Sequence, residues 1–219
     1  MSCAAIIVAA GRSRRMGADK LLLEAAGRPL LQWTLDAFVA CGAIKRVVVV
    51  CPEERFAQLE TAGGKEVVRV DGGRERFLSV VEGLGAVSES LVAVHDGARP
   101  LVQPAQIEEC VAAARAGGAA VLARRVTETL KYGSRDGFTR GSVAREDLWA
   151  METPQVFRTK VLKRAYEHVL QRRLPVTDDV SAAEAIGVAT KLVENHVPNL
   201  KVTTPADLQV AGELLRARE

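Results

Sequence analysis

The 219-residue sequence lacks the marks of several broad protein classes. Lys and Arg total 30 against 27 Asp and Glu, a formal net charge of +3. That excess is too slight for the basic footprint of nucleic-acid binding, so no nucleic-acid partner is expected. The four cysteines, Cys3, Cys41, Cys51 and Cys110, never fall in C-x-x-C spacing, and three sit in apolar segments. They read as small hydrophobes in a thiol-keeping compartment, not as a disulfide or redox set. His95, His168 and His196 form no zinc-type cluster with them by spacing. No apolar run approaches bilayer length. The apolar run at residues 4–10 is short, has no basic residues before it and leads straight into a charged loop, unlike a secretion signal. Repeats, low-complexity tracts and flexible linkers are also missing. The expectation is a soluble cytoplasmic protein with no membrane partner.

What is present is core. Hydrophobic residues make up 48% of the chain, enough for one domain of ordinary size over residues 1–219. Strand-like and helix-like segments alternate. Residues 4–8, 46–51, 67–70, 91–95 and 119–123 read as strands, and the Val-rich run at 46–51 suits a central parallel strand. Between them, helices are predicted at 30–39 behind Pro29, at 53–59, at 77–84 and at 104–115. This βαβα order predicts a Rossmann-like α/β fold with a doubly wound, mostly parallel sheet.

The rhythm breaks at about residues 126–150. There Thr, Leu, Tyr, Phe and Val alternate with charges around Asp136-Gly137, a hairpin signature. A ribbon this thin makes no core of its own and must pack on something, either a symmetric partner or its own domain. Past Thr153-Pro154, helices are predicted at 160–169 and 178–186, the second capped by Thr177 or Asp178. Strands are predicted at 189–193 and 201–202. Thr204-Pro205-Ala206-Asp207 opens a last helix.

In open α/β sheets ligands bind beyond the carboxyl ends of the strands. Three stretches lie there with glycine and charge: residues 11–20, 71–76 and 96–100. The first carries Arg12, Arg14, Arg15 and Lys20. It is not a Walker A loop, because Gly11 and Gly17 are one residue too far apart and Leu21 follows the lysine. It is not the G-x-G-x-x-G dinucleotide fingerprint either. Gly11 gives a ligand access to the backbone, and several cations suit several phosphate oxygens. Asp96, at a strand end before Gly97, could hold a magnesium ion, orient a polar substrate, or simply form the turn. His95 reads as a packed strand-end residue. For Lys201, Thr129 and Arg145 the residues alone suggest only surface.

Ala9-Ala10-Gly11-x-x-x-Arg15-Met16-Gly17 with Lys20 resembles the signature of nucleotidyltransferases acting on sugar phosphates and related alcohols. The order Asp71-Gly72-Gly73-x-x-Arg76-x-x-Ser79, His95-Asp96-Gly97-Ala98-Arg99-Pro100, Thr153-Pro154-Gln155-x-Phe157, Thr177-Asp178-Asp179-x-Ser181-Ala182 and Asn199-Leu200-Lys201-Val202-Thr203 narrows it. Together these resemble the 2-C-methyl-D-erythritol 4-phosphate cytidylyltransferases over essentially the whole chain. The resemblance implies transfer of CMP from CTP to 2-C-methyl-D-erythritol 4-phosphate with Mg²⁺, in the non-mevalonate route to isoprenoid precursors. It implies catalytic roles for Arg15, Lys20, Arg145 and Lys201, and nucleotide contacts from Ala9, Ala10, Gly11, Gly73 and Ser79. It implies substrate contacts from Asp96, Arg99, Thr129, Thr153 and Thr177, with Asp96 also touching the metal. It further implies a homodimer in which the β-arm carries Thr129 and Arg145 into the neighbouring site. Asp19-Lys20-Leu21 stands where many members have Pro-Lys-Gln. A cytidylyltransferase for another polyol phosphate, such as ribitol 5-phosphate, and a non-catalytic nucleotide-binding module are the alternatives.

Overall fold

The structure is a computed structural model that describes residues 1–11, 19–61 and 63–218. Its strands are β1 (Cys3–Val8), β2 (Glu24–Ala25), β3 (Arg28–Pro29), β4 (Ile44–Val50), β5 (Glu66–Val70), β6 (Leu91–Asp96), β7 (Ala119–Arg125), β8 (Lys131–Gly133), β9 (Thr139–Ser142), β10 (Trp149–Arg158) and β11 (Lys191–Glu194). Its helices are α1 (Leu30–Ala40), α2 (Glu53–Phe56), α3 (Arg76–Gly85), α4 (Pro104–Gly117), α5 (Thr159–Arg172), α6 (Asp179–Glu184) and α7 (Pro205–Arg216).

The expected doubly wound sheet is present, with seven strands in the order β11-β7-β10-β6-β1-β4-β5. β1 runs parallel to β4 on one side and to β6 on the other. The chain therefore builds outward from β1 in one direction through β4 and β5. It then reverses to build β6 on the opposite flank. That reversal opens a crevice beyond the carboxyl end of β1, where such sheets take their ligands.

The hydrophobic pattern of β1 explains why it is central. Cys3, Ala5 and Ile7 face one core, which also holds Leu31, Leu35 and Phe38 of α1 and Ile107 and Val111 of α4. Ala4 and Ile6 face the other core, with Val80 and Leu84 of α3 and Leu162, Ala165 and Val169 of α5. A strand covered on both faces has no polar side, hence its continuous apolar run. A third cluster of Leu30, Leu101, Val202, Ala211 and Leu215 holds α7 against the sheet's ligand-binding end.

The structure departs from the sequence expectations at several points. β10 runs antiparallel between β6 and β7 in the middle of the sheet, where no strand was predicted. Residues 201–202 are not a strand. There the Val202 amide bonds the Ala98 carbonyl in a single cross-link, with no ladder. α2 stops at Phe56, and residues 57–59 continue only as a turn. The strand predicted at 189–193 is displaced to Lys191–Glu194. The caps follow expectation more closely. Asp178 takes the N-cap of α6 and accepts from the Ser181 amide. Thr204 and Asp207 form a reciprocal capping box on α7. The predicted hairpin is the β8–β9 ribbon, and Gly137 takes a positive φ of 88° in its turn.

Candidate active site

The carboxyl ends of β1, β5 and β6 open into one cavity of about 1070 Å³, with Ala9, Ala10, Gly11, Lys20, Gly72, Gly73, Ser79, Asp96 and Lys201 in its wall. That volume reaches the upper range for small-molecule pockets and has room for two substrates side by side. Glycine sets one wall. A Cβ at Gly72 would lie 2.2 Å from the Cβ of Ala10, so only glycine lets the exit of β5 lie against the exit of β1. The Gly73 amide donates to Ser79 Oγ at 3.1 Å, and the hydroxyl donates in turn to the Glu75 carbonyl. This fixes the turn between β5 and α3 on the first turn of the helix.

Asp96 lies at the other wall, at the end of β6. Its Oδ1 accepts from Arg76 Nε at 2.9 Å and its Oδ2 from Lys201 Nζ at 2.7 Å. Arg76, from the start of α3, reaches past it to Asp179 at the start of α6 at 2.9 Å. Asp179 is fully buried and also accepts from the Tyr166 hydroxyl. The result is an alternating chain Lys201–Asp96–Arg76–Asp179–Tyr166 across the mouth of the sheet. Burial alone would raise the Asp96 pKa, but the charges of Arg76 and then Lys201 outweigh it and hold the carboxyl below its ordinary range. Asp96 is therefore an anion at neutral pH.

Beneath this chain lies a layer of satisfied polar groups. The Asp96 amide donates to Thr153 Oγ1 at 3.1 Å, and Thr153 Oγ1 lies 2.9 Å from His95 Nδ1. His95 is fully buried, and burial lowers its pKa to about 3. It is packed at the strand end and stays neutral. Arg99 donates to the Asn199 carbonyl at 2.7 Å, and the Asn199 amide group donates to Glu152 and to the Thr153 carbonyl. These bonds position the segment that carries Lys201.

Lys20 Nζ donates to the Val202 carbonyl at 2.9 Å, joining the flank of the basic stretch to the same segment. The guanidinium of Arg55, from α2, donates to the carbonyls of Ala9 and Gly11 and pairs with Asp19 at 2.7 Å.

Among the described residues no three His, Cys, Asp or Glu side chains gather as a metal cage. Asp96, already engaged by Arg76 and Lys201 and with Arg99 at 3.8 Å, offers at most one ligand. That donor set fits a magnesium ion that binds mainly to phosphate oxygens and water. The cavity presents cations to an anionic ligand, and among the described residues that line it there is no histidine placed as a base.

Comparison with known proteins shows the family. The family model described as IspD, 2-C-methyl-D-erythritol 4-phosphate cytidylyltransferase, matches residues 3–217. The chain belongs to this cytidylyltransferase family. It is 42% identical to the Pelotomaculum thermopropionicum enzyme of that name, covering 99% of this chain and 95% of the relative. It is 38% identical to the one from Bacillus licheniformis, covering 100% and 98%. Among solved structures, the Thermus thermophilus cytidylyltransferase superposes with a TM-score of 0.83 at 35% identity, covering 99% of this chain and all of that one. The Anaerococcus prevotii 4-diphosphocytidyl-2C-methyl-D-erythritol synthase gives 0.85 at 28%, covering 98% and 96%.

Not every residue expected from the cytidylyltransferase resemblance lies at the cavity. Ala9, Ala10, Gly11, Lys20, Gly73, Ser79, Asp96 and Lys201 line it. Thr153 and Arg99 lie behind Asp96. Thr177 is exposed beside the α6 cap, its amide bonded to Ser181 Oγ and its side chain outside the cavity wall. Thr129 and Arg145 are exposed on the arm and outside this chain's own cavity, with Arg145 bonded to the Thr127 carbonyl at 2.6 Å. Arg15 lies outside the described residues. Sequence reasoning gave no role to Arg76, although it stands within a quoted motif, or to Arg55, which has no local signal at all.

Proposed function

We infer that this cavity transfers CMP from CTP to 2-C-methyl-D-erythritol 4-phosphate, releasing pyrophosphate and forming 4-diphosphocytidyl-2-C-methyl-D-erythritol. The observation that carries the reading is the meeting of Lys20, Asp96 and Lys201 in one cavity that Gly72 and Gly73 also line. In the reaction an oxygen of the substrate phosphate attacks the α-phosphorus of CTP in line. The bond from that phosphorus to the bridging oxygen of the leaving pyrophosphate breaks. The attacking phosphate is already an anion near neutral pH, so no general base is required. The barrier lies in bringing two anions together, and catalysis is positioning plus charge stabilisation.

Ala9, Ala10 and Gly11 would lie along the nucleotide, with Gly73 and Ser79 at its base or ribose. Lys20 and Arg15 would stabilise charge on the α-phosphate and on pyrophosphate. Lys201 would turn from Asp96 to the attacking phosphate. Its side chain is 42% exposed, and Asp96 keeps Arg76 as a second cation, so Lys201 can leave without stranding the buried carboxylate. Asp96 and Arg99, with Thr153 and Thr177, would hold the polyol. Magnesium, held by the triphosphate with Asp96 as its protein ligand, would neutralise phosphate charge. The arm at about 126–150 would pair two copies, bringing Thr129 and Arg145 of each to the other's site, and the rest would act as one nucleotidyltransferase domain in the cytoplasm. The exposure of Tyr132 and Phe138 on the ribbon supports a partner there.

The test is pyrophosphate release by purified protein across CTP, GTP and UTP and a panel of polyol phosphates including ribitol 5-phosphate. Release is expected only with CTP, 2-C-methyl-D-erythritol 4-phosphate and Mg²⁺ together. Faster release with another polyol phosphate would replace the substrate, and CTP binding without release would leave a non-catalytic module.

A further inference from the structure

Arg55 has no part in the reaction as just described, yet it is built into the nucleotide side of the cavity. Its side chain is 7% exposed. Nη1 donates to the Ala9 carbonyl, Nη2 to the Gly11 carbonyl at 3.3 Å, and Nε to Asp19 Oδ2 at 2.8 Å. Asp19 Oδ1 in turn accepts from the Leu21 amide at 3.2 Å. One guanidinium thus joins the two described flanks of the basic stretch, Gly11 on one side and Asp19 on the other. A peptide unit is planar and trans, so fixing the Ala9 carbonyl also fixes the Ala10 amide, which turns the opposite way at the cavity wall.

The charge matters as much as the geometry. Asp19 immediately precedes Lys20, and its side chain is 33% exposed. An unpaired carboxylate there would repel an incoming triphosphate and weaken the field of Lys20. We propose that Arg55 is a positioning residue for the nucleotide: it cancels the charge of Asp19 beside Lys20 and sets the backbone at Ala9–Gly11 against which the triphosphate lies. This inference rests on the reading of the cavity as a nucleoside triphosphate site.

The test is calorimetric titration of CTP with Mg²⁺ into the full-length protein and its Arg55→Gln, Asp19→Asn and Arg55→Gln/Asp19→Asn variants. KM values for both substrates would be measured alongside. Arg55→Gln should weaken CTP binding roughly tenfold, the effect of one uncompensated charge near a polyanion, with KM for the polyol phosphate moved less than about twofold. Removing Asp19 as well should recover most of that loss, which a purely structural clamp would not do. Equal weakness of the single Arg55 variant and the double variant overturns the charge role, and wild-type affinity in Arg55→Gln overturns the whole proposal. If Arg55→Gln does not fold by circular dichroism, Asp19→Asn alone decides. It keeps an acceptor for the guanidinium and removes the negative charge, so CTP must bind about threefold tighter or more at low salt. Weaker binding there overturns the proposal. Wild-type protein that binds GTP and not CTP would sink the cytidylyl reading alone, since the same cycle is then read with GTP. Wild-type protein that binds neither sinks both.

Discussion

Arg76 shows how burial and charge are balanced at single residues in this site. Desolvation works against its charge, but Asp179 and Asp96 more than offset it and hold the guanidinium firmly protonated. Removing it leaves Asp179, fully buried, with the Tyr166 hydroxyl as the one remaining donor to its carboxylate among the described residues. Arg76→Ala is therefore expected to lower unfolding free energy by about 3 kcal/mol or more in urea titrations, and Arg76→Ala/Asp179→Asn to regain part of it. A loss below about 1 kcal/mol would mean that other groups take over the charge of Asp179. His95 makes a different demand. Burial depresses its folded pKa to about 3, against an unfolded value near 6.5. The unfolded chain thus binds a proton that the folded chain refuses. The contribution of a neutral His95 is complete above about pH 6.5 and is lost as pH falls toward 3. Thermal unfolding of His95→Asn should show a flatter decline across that window than the parent protein, and parallel declines would show that another group carries the slope.

Elements differ in how far their own residues announce them. β1 and β4 were legible because a strand buried on both faces reads as an unbroken apolar run. α7 was legible because Thr204, Pro205 and Asp207 carry its cap in the local sequence. β10 was not, and the reason is physical. Its centre holds Glu152, Thr153, Pro154 and Gln155, a polar stretch interrupted by proline, yet Glu152, Thr153 and Gln155 are all buried. Glu152 is satisfied by Asn195 and Asn199, Thr153 by the Asp96 amide and His95, and Gln155 by Asp178 and the amides of α6. Each partner is distant in sequence, so no local pattern signals burial. The same holds for the pairing of Arg55 with Asp19, whereas Lys20, Gly73 and Asp96 were legible as glycine and charge at strand ends. The α7 cap gives a prediction at this scale. Asp207 Oδ2 accepts from the Thr203 amide, the Thr203 hydroxyl and the Thr204 amide, each at 2.8 Å. Asp207→Ala removes those three bonds and keeps the one from the residue-207 amide to Thr204 Oγ1, so it loosens Thr203, which borders the cavity two residues beyond Lys201. Stability should fall by about 1 kcal/mol, and KM for the polyol phosphate should rise more than KM for CTP. An equal rise in both would separate the cap from Lys201.

At the scale of the whole molecule, β6 and β7 both run antiparallel to β10, so the arm leaves the sheet at the same carboxyl edge as the crevice, yet its residues lie outside this chain's own cavity. The cavity draws Lys20, Asp96 and Lys201 together, while Arg145 and Thr129 ride on a ribbon whose aromatic side chains Tyr132 and Phe138 are 62% and 69% exposed. A two-stranded ribbon with such side chains in water is marginal by itself. A symmetric partner would both cover it and, through the two-fold axis, make the exchange reciprocal. If each arm completes the other chain's cavity, the two kinds of residue belong to one site but to different chains. Arg145→Ala and Lys20→Ala proteins should then each be nearly inactive as pure dimers. In a dimer formed from one chain of each kind, one cavity has lost both residues and the other has kept both. Random re-pairing of equal amounts gives about half mixed dimers, each with one intact site, so roughly a quarter of wild-type activity should return. The check is pyrophosphate release after co-refolding the two variants, compared with the same variants mixed without exchange. If co-refolded dimers stay as inactive as their parents, while light scattering confirms that the chains have re-paired, Arg145 does not act across the interface. Recovery that scales with the fraction of mixed dimers would make the dimer itself the catalytic unit.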